Sequence, residues 1–293
     1  MNKHIISFGG GVDSSALLAI NLKRDQAAAL IGISRELLDE AFPIADGAMF
    51  ADTGAERIAT YENVARFEAA YREAGIPFYR VRNEKETIVE WLIRNGTLPL
   101  MPGGPHVCSL KFKTEPMHKN AVKLFPGSRF TWSIGIEANE DRRANKAFTV
   151  RTNETHQSAF PLRNLGLDRK ACEAIIVALG FPAVVKSACV FCPFAQIEEI
   201  ADIYGTEPQG WDLCKLIERN FQETSPRKHA AWIAAGEPLI KTKKGVRAPV
   251  GMWRKDSHAE GARLFVKPVN GKRLSVTEWE QYLVTVPHHN SIR

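Results

Sequence analysis

Short apolar runs alternate with amphipathic segments along the first half of the chain. Strands are predicted for Ile5–Phe8, GAMFAD at 47–52, PFYRVR at 77–82 and FTWSIGI at 130–136. Helices are predicted for 14–22, 34–42, 58–74, 87–95 and 115–124, with Ile58, Tyr61, Ala65 and Ala69 on one face of the third. Because strands that alternate with helices form parallel sheets, we expect an α/β fold with helices on both faces of a parallel sheet.

The second half of the chain has a different pattern. Residues 167–180 predict a helix, KSACVFCPF at 186–194 predicts a break, and helices follow at 195–204 and 210–221. From residue 226 the chain is rich in Pro, Gly and basic residues, which predicts an irregular appendage with a last helix near 277–284. We therefore expect two domains, residues 1–186 and 187–293.

The apolar runs are too short to place the chain in a membrane. The longest, AIIVALGFPAVV at 174–185, is interrupted by Gly180 and Pro182, and the N-terminus has no apolar signal core. A cytoplasmic protein without a membrane partner is the resulting expectation.

Positive charge is concentrated near the C-terminus. The net charge is +6, and residues 227–273 hold twelve Lys and Arg against three Asp and Glu. Such a basic region is typical of polyanion binding, and Trp232 and Trp253 within it suggest stacking on the bases of tRNA or DNA. The alternatives are a solvated surface and tryptophans that pack the appendage onto the body of the protein.

A glycine-rich turn lies between the first strand and the first helix, in IISFGGGVDSSALL at 5–18. Glycine lets the backbone turn with positive φ and approach a ligand closely. Backbone amides and the dipole of the following helix then point to one place, which favours a phosphate. The spacing matches neither GxxxxGK[ST] nor GxGxxG, since Ser14 stands where the second of these motifs requires glycine.

Four segments together carry a family resemblance. Gly9-Gly10-Gly11-Val12-Asp13-Ser14 is similar to the SGGxDS pyrophosphatase loop, with Gly9 in place of its first serine. Asp52-Thr53-Gly54, the segment Cys108–Pro116, and Trp132-Ser133-Ile134-Gly135 followed by Glu140, Arg142 and Arg143 come after it in the same order as in the family. Over residues 5–195 the chain resembles the phosphoadenylylsulfate (PAPS) reductase branch of the adenine nucleotide α-hydrolase superfamily, the PP-loop ATP pyrophosphatases.

The resemblance implies a Rossmann-like HUP fold and a chemistry. In the family, the loop holds the phosphates of ATP while an acceptor oxygen attacks the α-phosphate and pyrophosphate leaves. The implied nucleotide-binding residues are Ser7, Gly9, Gly10, Gly11, Val12, Asp13, Ser14, Asp52, Thr53, Gly54 and Gly135. Asp13 is expected to position the loop or Mg²⁺, and Lys113 and Arg143 are expected to offset the developing phosphate charge. For Lys111 and Arg142 a surface role is the alternative.

Three cysteines form a candidate metal centre. Cys189 and Cys192 form a CxxC pair, which by spacing alone fits a redox dithiol, half of a zinc site or half of an iron–sulfur site. The resemblance implies that Cys108, Cys189 and Cys192 hold a [4Fe-4S] cluster whose fourth iron is open or bound by His106, Cys172 or Cys214. Zinc bound by His106, Cys108, Cys189 and Cys192 is the alternative. Cys172 and Cys214 also fit ordinary core positions.

The cysteine count bears on the reaction. PAPS reductases use a nucleophilic cysteine near the C-terminus, whereas this chain has no cysteine after Cys214. We therefore expect an ATP-dependent sulfurtransferase that adenylates a substrate oxygen and transfers sulfur to a nucleic acid or nucleotide. A sulfur-donor protein and a second copy of the chain are its expected protein partners. The alternatives are a sulfonucleotide reductase that uses Cys214 or a partner's thiol, and a non-catalytic nucleotide sensor.

Overall fold

The structure is a computed structural model that describes residues 1–99, 107–242, 245–247 and 262–285. Its strands are β1 (Asn2–Phe8), β2 (Gly47–Asp52), β3 (Phe78–Arg82), β4 (Arg129–Ile134), β5 (His156–Ala159), β6 (Ile240–Thr242), β7 (Gly245–Arg247), β8 (Pro268–Val269) and β9 (Lys272–Arg273). Its α-helices are α1 (Val12–Leu22), α2 (Arg24–Ile31), α3 (Arg35–Ala41), α4 (Ile58–Glu73), α5 (Ile88–Asn95), α6 (Val107–Ser109), α7 (Glu115–Leu124), α8 (Asp141–Arg151), α9 (Pro161–Asn164), α10 (Arg169–Ala178), α11 (Ile197–Thr206), α12 (Pro208–Ala234) and α13 (Val276–Thr285). A π-helical segment, Leu110–Thr114, joins α6 to α7.

The described chain forms two compact units. The first consists of Met1–Glu84 and Ser109–Ala188, and the second of Lys85–Cys108 and Cys189–Arg293 so far as these are described. The predicted division after residue 186 lies close to the boundary at 188. Residues 85–108, which the prediction left in the nucleotide-binding domain, belong to the second unit.

A five-stranded parallel sheet forms the centre of the first unit, in the order β3-β2-β1-β4-β5. This α/β architecture was predicted, and the strand order is that of a Rossmann-like doubly wound sheet. Neighbouring β1 and β4 are the strands at which the direction of winding reverses. In such sheets a crevice opens at the carboxyl ends of these two strands.

Helices cover both faces of the sheet because its central strands are apolar on both sides. Adjacent residues Ile5 and Ile6 are both fully buried but belong to different hydrophobic clusters. The cluster around Ile6 includes residues of α1, α2, α3, α4 and α10, whereas the cluster around Ile5 includes residues of α7 and α8. The predicted two-sided packing is thus confirmed.

One predicted helix face is wrong. In α4, Ile58 is 53% exposed, and Ala65 and Ala69 are also exposed. The buried face instead contains Thr60, Asn63, Val64, Phe67 and Tyr71. The polar members Thr60 and Asn63 shift the buried face away from the one that apolar periodicity alone predicts.

Several elements were not predicted. Among them are α2, β5 and α8, the last lying in a polar, charged stretch after β4. In β5 the buried residue is His156, whose Nδ1 accepts a hydrogen bond from Trp132 Nε1 at 3.1 Å. Burial lowers the pKa of His156, so the neutral ring that this bond requires is favoured.

The second unit is mainly helical. α12 continues to Ala234 through Pro226, so the prediction of irregular chain from residue 226 is wrong over this range. Helix α5 packs against α12, where Asn220 Nδ2 donates to the Ile93 carbonyl at 2.9 Å. The buried Glu218 carboxylate accepts from the amides of Leu264 and Val276, and burial raises its pKa.

Among the helices that the structure describes, none combines the length and apolarity needed to cross a bilayer.

Candidate functional site

A cleft of the first unit lies at the reversal point of the sheet. Its volume is about 600 Å³, and its wall includes the ends of β1 and β4 together with the start of α1. This volume is in the range of small-molecule sites. The glycine turn and the residues after β4 therefore lie together at one edge of the sheet.

Internal hydrogen bonds fix the glycine turn. The Gly9 amide donates to Ser14 Oγ at 3.1 Å, and Ser14 Oγ donates to the Gly11 carbonyl at 3.1 Å. From α4, buried Asn63 Nδ2 donates to the Gly10 carbonyl and to Ser15 Oγ, both at 2.9 Å. With these carbonyls satisfied, the turn has one defined shape.

Three glycines of the cleft region have no room for a side chain. Gly10 has φ of +77°, and a Cβ there would lie 2.7 Å from Thr60 Cγ2. A Cβ at Gly11 would lie 2.8 Å from Ser187 Oγ, and one at Gly135 would lie 2.5 Å from the Ser14 amide nitrogen. The backbone after β4 therefore touches the backbone that begins α1.

The start of α1 directs amide groups toward the cleft wall. The first intrahelical bond runs from the Ser15 amide to the Gly11 carbonyl at 2.9 Å, so the amides of Val12, Asp13 and Ser14 have no acceptor within the helix. Gly11, at the N-cap, has no side chain to accept from them. These amides and the positive end of the helix dipole make a local environment that favours an anion.

Most of the predicted site residues lie on this wall. From the glycine turn they are Ser7, Gly9, Gly11, Val12, Asp13 and Ser14. Lys113, Gly135 and Arg143 line the same cleft. Gly10 packs behind the turn against Thr60 and Val64.

The predicted Asp52-Thr53-Gly54 segment is not among the described residues of the wall, although Ala51 is. Its contacts stabilise its own loop: Asp52 Oδ1 accepts from the Gly54 amide at 2.8 Å and from the Tyr61 hydroxyl at 2.7 Å. Burial and the hydrogen bond to Asp52 raise the pKa of Tyr61. A direct nucleotide contact by this segment stays a prediction.

A buried carboxylate links that loop to the cleft. Glu56 Oε1 accepts from Thr53 Oγ1 at 3.1 Å and lies 2.9 Å from Lys113 Nζ. The Glu56 side chain is fully buried, whereas that of Lys113 is 29% exposed and reaches the wall. Lys113 is thereby held at the cleft by an anchor that the sequence analysis did not identify.

The wall also contains residues that the sequence analysis did not name, among them Arg169, Lys186 and Ser187. Arg169 Nη1 lies 2.6 Å from Asp13 Oδ1, and Arg143 Nη1 lies 2.8 Å from Glu140 Oε2. A basic residue in the first turn of a helix opposes the helix dipole. Arg169, which begins α10 directly after its N-cap Asp168, carries that signal in the sequence.

The three cysteines of the predicted metal centre, Cys108, Cys189 and Cys192, all belong to the second unit and are partly buried. Among the described residues, no group of three or more His, Cys, Asp and Glu side chains is arranged to hold a metal ion. His106, a predicted ligand, lies outside the described residues. The metal centre therefore stays a prediction.

The other two cysteines have the properties of core residues. Cys172 is fully buried, and burial raises the pKa of its thiol to about 12. Cys214 is also fully buried, its Sγ donates to the Val190 carbonyl at 3.5 Å, and burial raises its pKa further. Neither thiol is disposed to form the thiolate that a metal or a nucleophilic attack requires.

The described part of the basic region gives no base-stacking surface at Trp232. This residue is 6% exposed, and its Nε1 donates to the Pro238 carbonyl at 3.0 Å. The Trp232 side chain therefore packs inside the protein. Trp253 lies outside the described residues. Lys272 is paired with Glu278.

The cleft thus combines backbone amides, a helix start and basic side chains, an arrangement suited to a polyanion. Comparison of the sequence with protein-family models and with curated proteins finds no match.

Proposed function

We propose that the first unit binds ATP in the cleft and cleaves it between the α- and β-phosphates, as in the PP-loop ATP pyrophosphatases. The observation that carries this proposal is the glycine cradle. At Gly11 and Gly135 a single added carbon would collide with Ser187 or with the start of α1, and both glycines line a cleft of about 600 Å³. These contacts fix the backbone around the start of α1, where the amides of Val12, Asp13 and Ser14 have no acceptor within the helix, and such fixed amides at a helix start suit a phosphate.

The cleft residues suit adenylation of an oxygen. An acceptor oxygen attacks the α-phosphorus, the bond from that phosphorus to the bridging oxygen breaks, and pyrophosphate leaves with the bonding electron pair. Lys113 and Arg143 offset the charge that develops on the phosphate oxygens. Asp13 is a wall residue whose carboxylate suits Mg²⁺, which would neutralise phosphate charge when bound.

Transfer of sulfur to the adenylated acceptor is the further step expected from the sequence. Because no three-ligand group is present among the described residues, no part of the proposed reaction depends on a cluster or a zinc ion. The reductase alternative needs a thiolate nucleophile, and the burial of Cys214 opposes it. The sensor alternative differs from the proposal only in lacking turnover.

ATP binding and product analysis test the proposal. Titration calorimetry with Mg²⁺ should give saturable ATP binding. Incubation with pools of tRNA, DNA and small acceptors should yield pyrophosphate and an adenylated acceptor, which releases AMP when sulfide is added and displaces the adenylated oxygen. Asp13→Asn should abolish pyrophosphate release, whereas Glu62→Gln, an exposed carboxylate on α4, should leave it unchanged.

Each contrary result has a distinct meaning. Absence of ATP binding by the wild-type protein rejects the proposal. Release of ADP and phosphate identifies cleavage at the wrong bond. Binding without release with every acceptor supports the nucleotide sensor.

A further inference from the structure

An ion pair between Asp13 and Arg169 closes part of the cleft wall. Arg169 Nη1 lies 2.6 Å from Asp13 Oδ1, and both residues line the cleft. Their side chains are 12% and 43% exposed for Asp13 and Arg169, respectively. The carboxylate is therefore mostly buried, while the guanidinium reaches solvent.

Local forces explain only a small part of why an arginine stands at position 169: its Nε lies 3.5 Å from Glu173 Oε1 one turn along α10, and both side chains are substantially exposed, so this pair contributes little to folding. α10 begins there and is already capped by Asp168, whose Oδ1 accepts from the Ala171 amide at 2.8 Å. A positive charge in the first turn opposes the helix dipole, and an ion pair with a half-exposed partner contributes little to folding. Asp13, in the first turn of α1, has a favourable position without any partner. The pair is thus better explained by binding than by stability.

The charges of the wall indicate what Arg169 binds. The described wall has four basic side chains (Lys113, Arg143, Arg169 and Lys186) and three acidic ones (Asp13, Glu137 and Glu140). Lys113 is paired with Glu56, and Arg143 with Glu140. If a basic residue of the wall exchanges its carboxylate partner for a bound polyphosphate, the polyphosphate gains a further counter-cation. A divalent cation can replace Arg169 as the partner of Asp13, because a nucleoside triphosphate brings such an ion with it.

Resting on the proposed function, we infer that Arg169 is a phosphate-binding residue. It exchanges the Asp13 carboxylate for oxygens of the nucleotide's polyphosphate when a divalent cation binds Asp13. Every charge stays paired during this exchange, so neither Asp13 nor Arg169 is left uncompensated. The planar guanidinium suits the task, since it forms two parallel hydrogen bonds to a phosphate group.

Arg169→Ala tests the contact directly, with Lys170→Ala as the matched control because Lys170 is the adjacent, exposed basic residue. ATP affinity in the presence of Mg²⁺ should fall roughly 10- to 100-fold in Arg169→Ala, and should be unchanged in Lys170→Ala. Arg169→Lys should recover only part of the affinity, since lysine lacks the two-pronged geometry.

Asp13→Asn tests the exchange through an effect of opposite sign. Removing the carboxylate releases Arg169, so ATP binding measured in EDTA should become several-fold tighter than in the wild-type protein. The increase in affinity on adding Mg²⁺ should disappear. Adding Arg169→Ala to Asp13→Asn should remove the gain seen in EDTA.

The outcomes separate this inference from the proposed function. If the wild-type protein binds no ATP, the proposed function fails. If it binds ATP and Arg169→Ala binds equally well with Mg²⁺, only the role of Arg169 fails. Should Arg169→Ala not fold, judged by circular dichroism, Arg169→Gln takes its place, and equal affinity in that variant overturns the inference.

Discussion

Gly135 is the most constrained single residue of the cleft. A Cβ there would lie 2.5 Å from the Ser14 nitrogen and 2.8 Å from the Asp13 carbonyl carbon, and neither backbone atom can move without shifting α1. We expect Gly135→Ala to lower stability by about 1–3 kcal/mol and ATP affinity at least ~10-fold. Calorimetric titration and urea unfolding measure the two effects.

The control for this substitution is Gly205→Ala in α11. Apart from its chain neighbours and the backbone of its own helix, no atom lies within 4 Å of a Cβ built there, so the variant should be equal to or slightly more stable than the wild-type protein. Wild-type affinity in Gly135→Ala would show that the close contact between the two loops has no bearing on the ligand.

At Gly9, unlike Gly135, a side chain should be tolerated and should strengthen ATP binding. Its φ is not in the left-handed region, and a Cβ would meet only Ser14 Oγ at an ordinary 3.8 Å. Gly9→Ser, which restores the first serine of the SGGxDS loop, should therefore fold normally. One added hydrogen bond of about 0.5–1.5 kcal/mol should tighten ATP binding roughly 2- to 10-fold.

Gly10→Ser is the comparison for Gly9→Ser, because φ at Gly10 is +77° and Thr60 Cγ2 lies 2.7 Å from the added carbon. That variant should be destabilised. If Gly9→Ser binds ATP more weakly than the wild-type protein, the assumed position of the phosphate is incorrect.

The sequence predicted most of these residues but not their partners. The glycine turn has a local signal, whereas Lys113, Gly135 and Arg143 were expected from the family resemblance, and all four contribute to the cleft wall. Glu56 and Asn63 become important only through contacts made in the folded chain. A local pattern identifies a residue type at a turn, whereas it does not identify the distant side chain that holds that residue in place.

Helix α4 supports the glycine turn through Asn63. The amide donates to the Gly10 carbonyl and to Ser15 Oγ, and its side chain is almost fully buried. Asn63→Ala leaves two buried groups without that donor, so stability should fall by about 1–3 kcal/mol and ATP binding should weaken.

Asn120→Ala on α7 is the matched control, since half-buried Asn120 donates only to the Pro116 carbonyl of its own helix. Urea unfolding and ATP titration of both variants make the comparison. Equal losses in the two variants would mean that Asn63 has no particular connection to the turn.

Helix α13 of the second unit should show a pH-dependent contribution. Glu278 accepts from Lys272 Nζ and from the Ser275 amide, both at 2.7 Å, and these bonds lower its pKa to about 2. A lowered carboxyl pKa stabilises the fold above the unfolded pKa of about 4.3, and this stabilisation is lost as pH falls toward about 2.

Glu278→Gln should therefore be less stable than the wild-type protein by about 0.5–1 kcal/mol at pH 7. The difference should shrink as the pH is lowered to about 2. Glu223→Gln, at an exposed position on α12, is the control and should be as stable as the wild-type protein at pH 7. Urea unfolding across this pH range measures all three proteins, and a constant difference would exclude the role of charge.

Among the elements, strongly apolar strands were predicted well and polar ones were not. β2 and β4 follow apolar runs, whereas β5 has the sequence HQSA and is recognisable only from its pairing with β4. α8 lacks an apolar stripe of the usual width, and α12 passes through Pro226, a residue that ordinarily ends a helix. These elements depend on tertiary context that no local window contains.

For the molecule as a whole, metal content is the most informative measurement. If the predicted centre forms, anaerobically purified protein should contain iron and acid-labile sulfide. Cys192→Ser should lose both, and Cys172→Ser should keep them, because Cys172 is a buried core residue. Zinc without acid-labile sulfide would reject the cluster. Absence of both iron and zinc would agree with the described residues, among which no three-ligand group is present.

The sequence also predicted two domains but treated each as one continuous stretch. The first unit is discontinuous, since Lys85–Cys108 belongs to the second. Helix α5 has its own capping box at Thr87 and Glu90 and its own C-terminal Gly96, so its local pattern is that of any helix of an α/β domain. Which unit it joins is decided by packing against α12, a helix far along the chain.

The position of β1 has a consequence for synthesis on the ribosome. This strand leaves the exit tunnel well before β4, yet it occupies the middle of the sheet, and Asn2–Ser7 pairs with Arg129–Ile134. Until those later residues emerge, one edge of β1 has no neighbour and its apolar side chains lack their cover. The sheet stays incomplete during this interval. Chaperone assistance and the rate of translation through residues 85–134 therefore affect the yield of active protein.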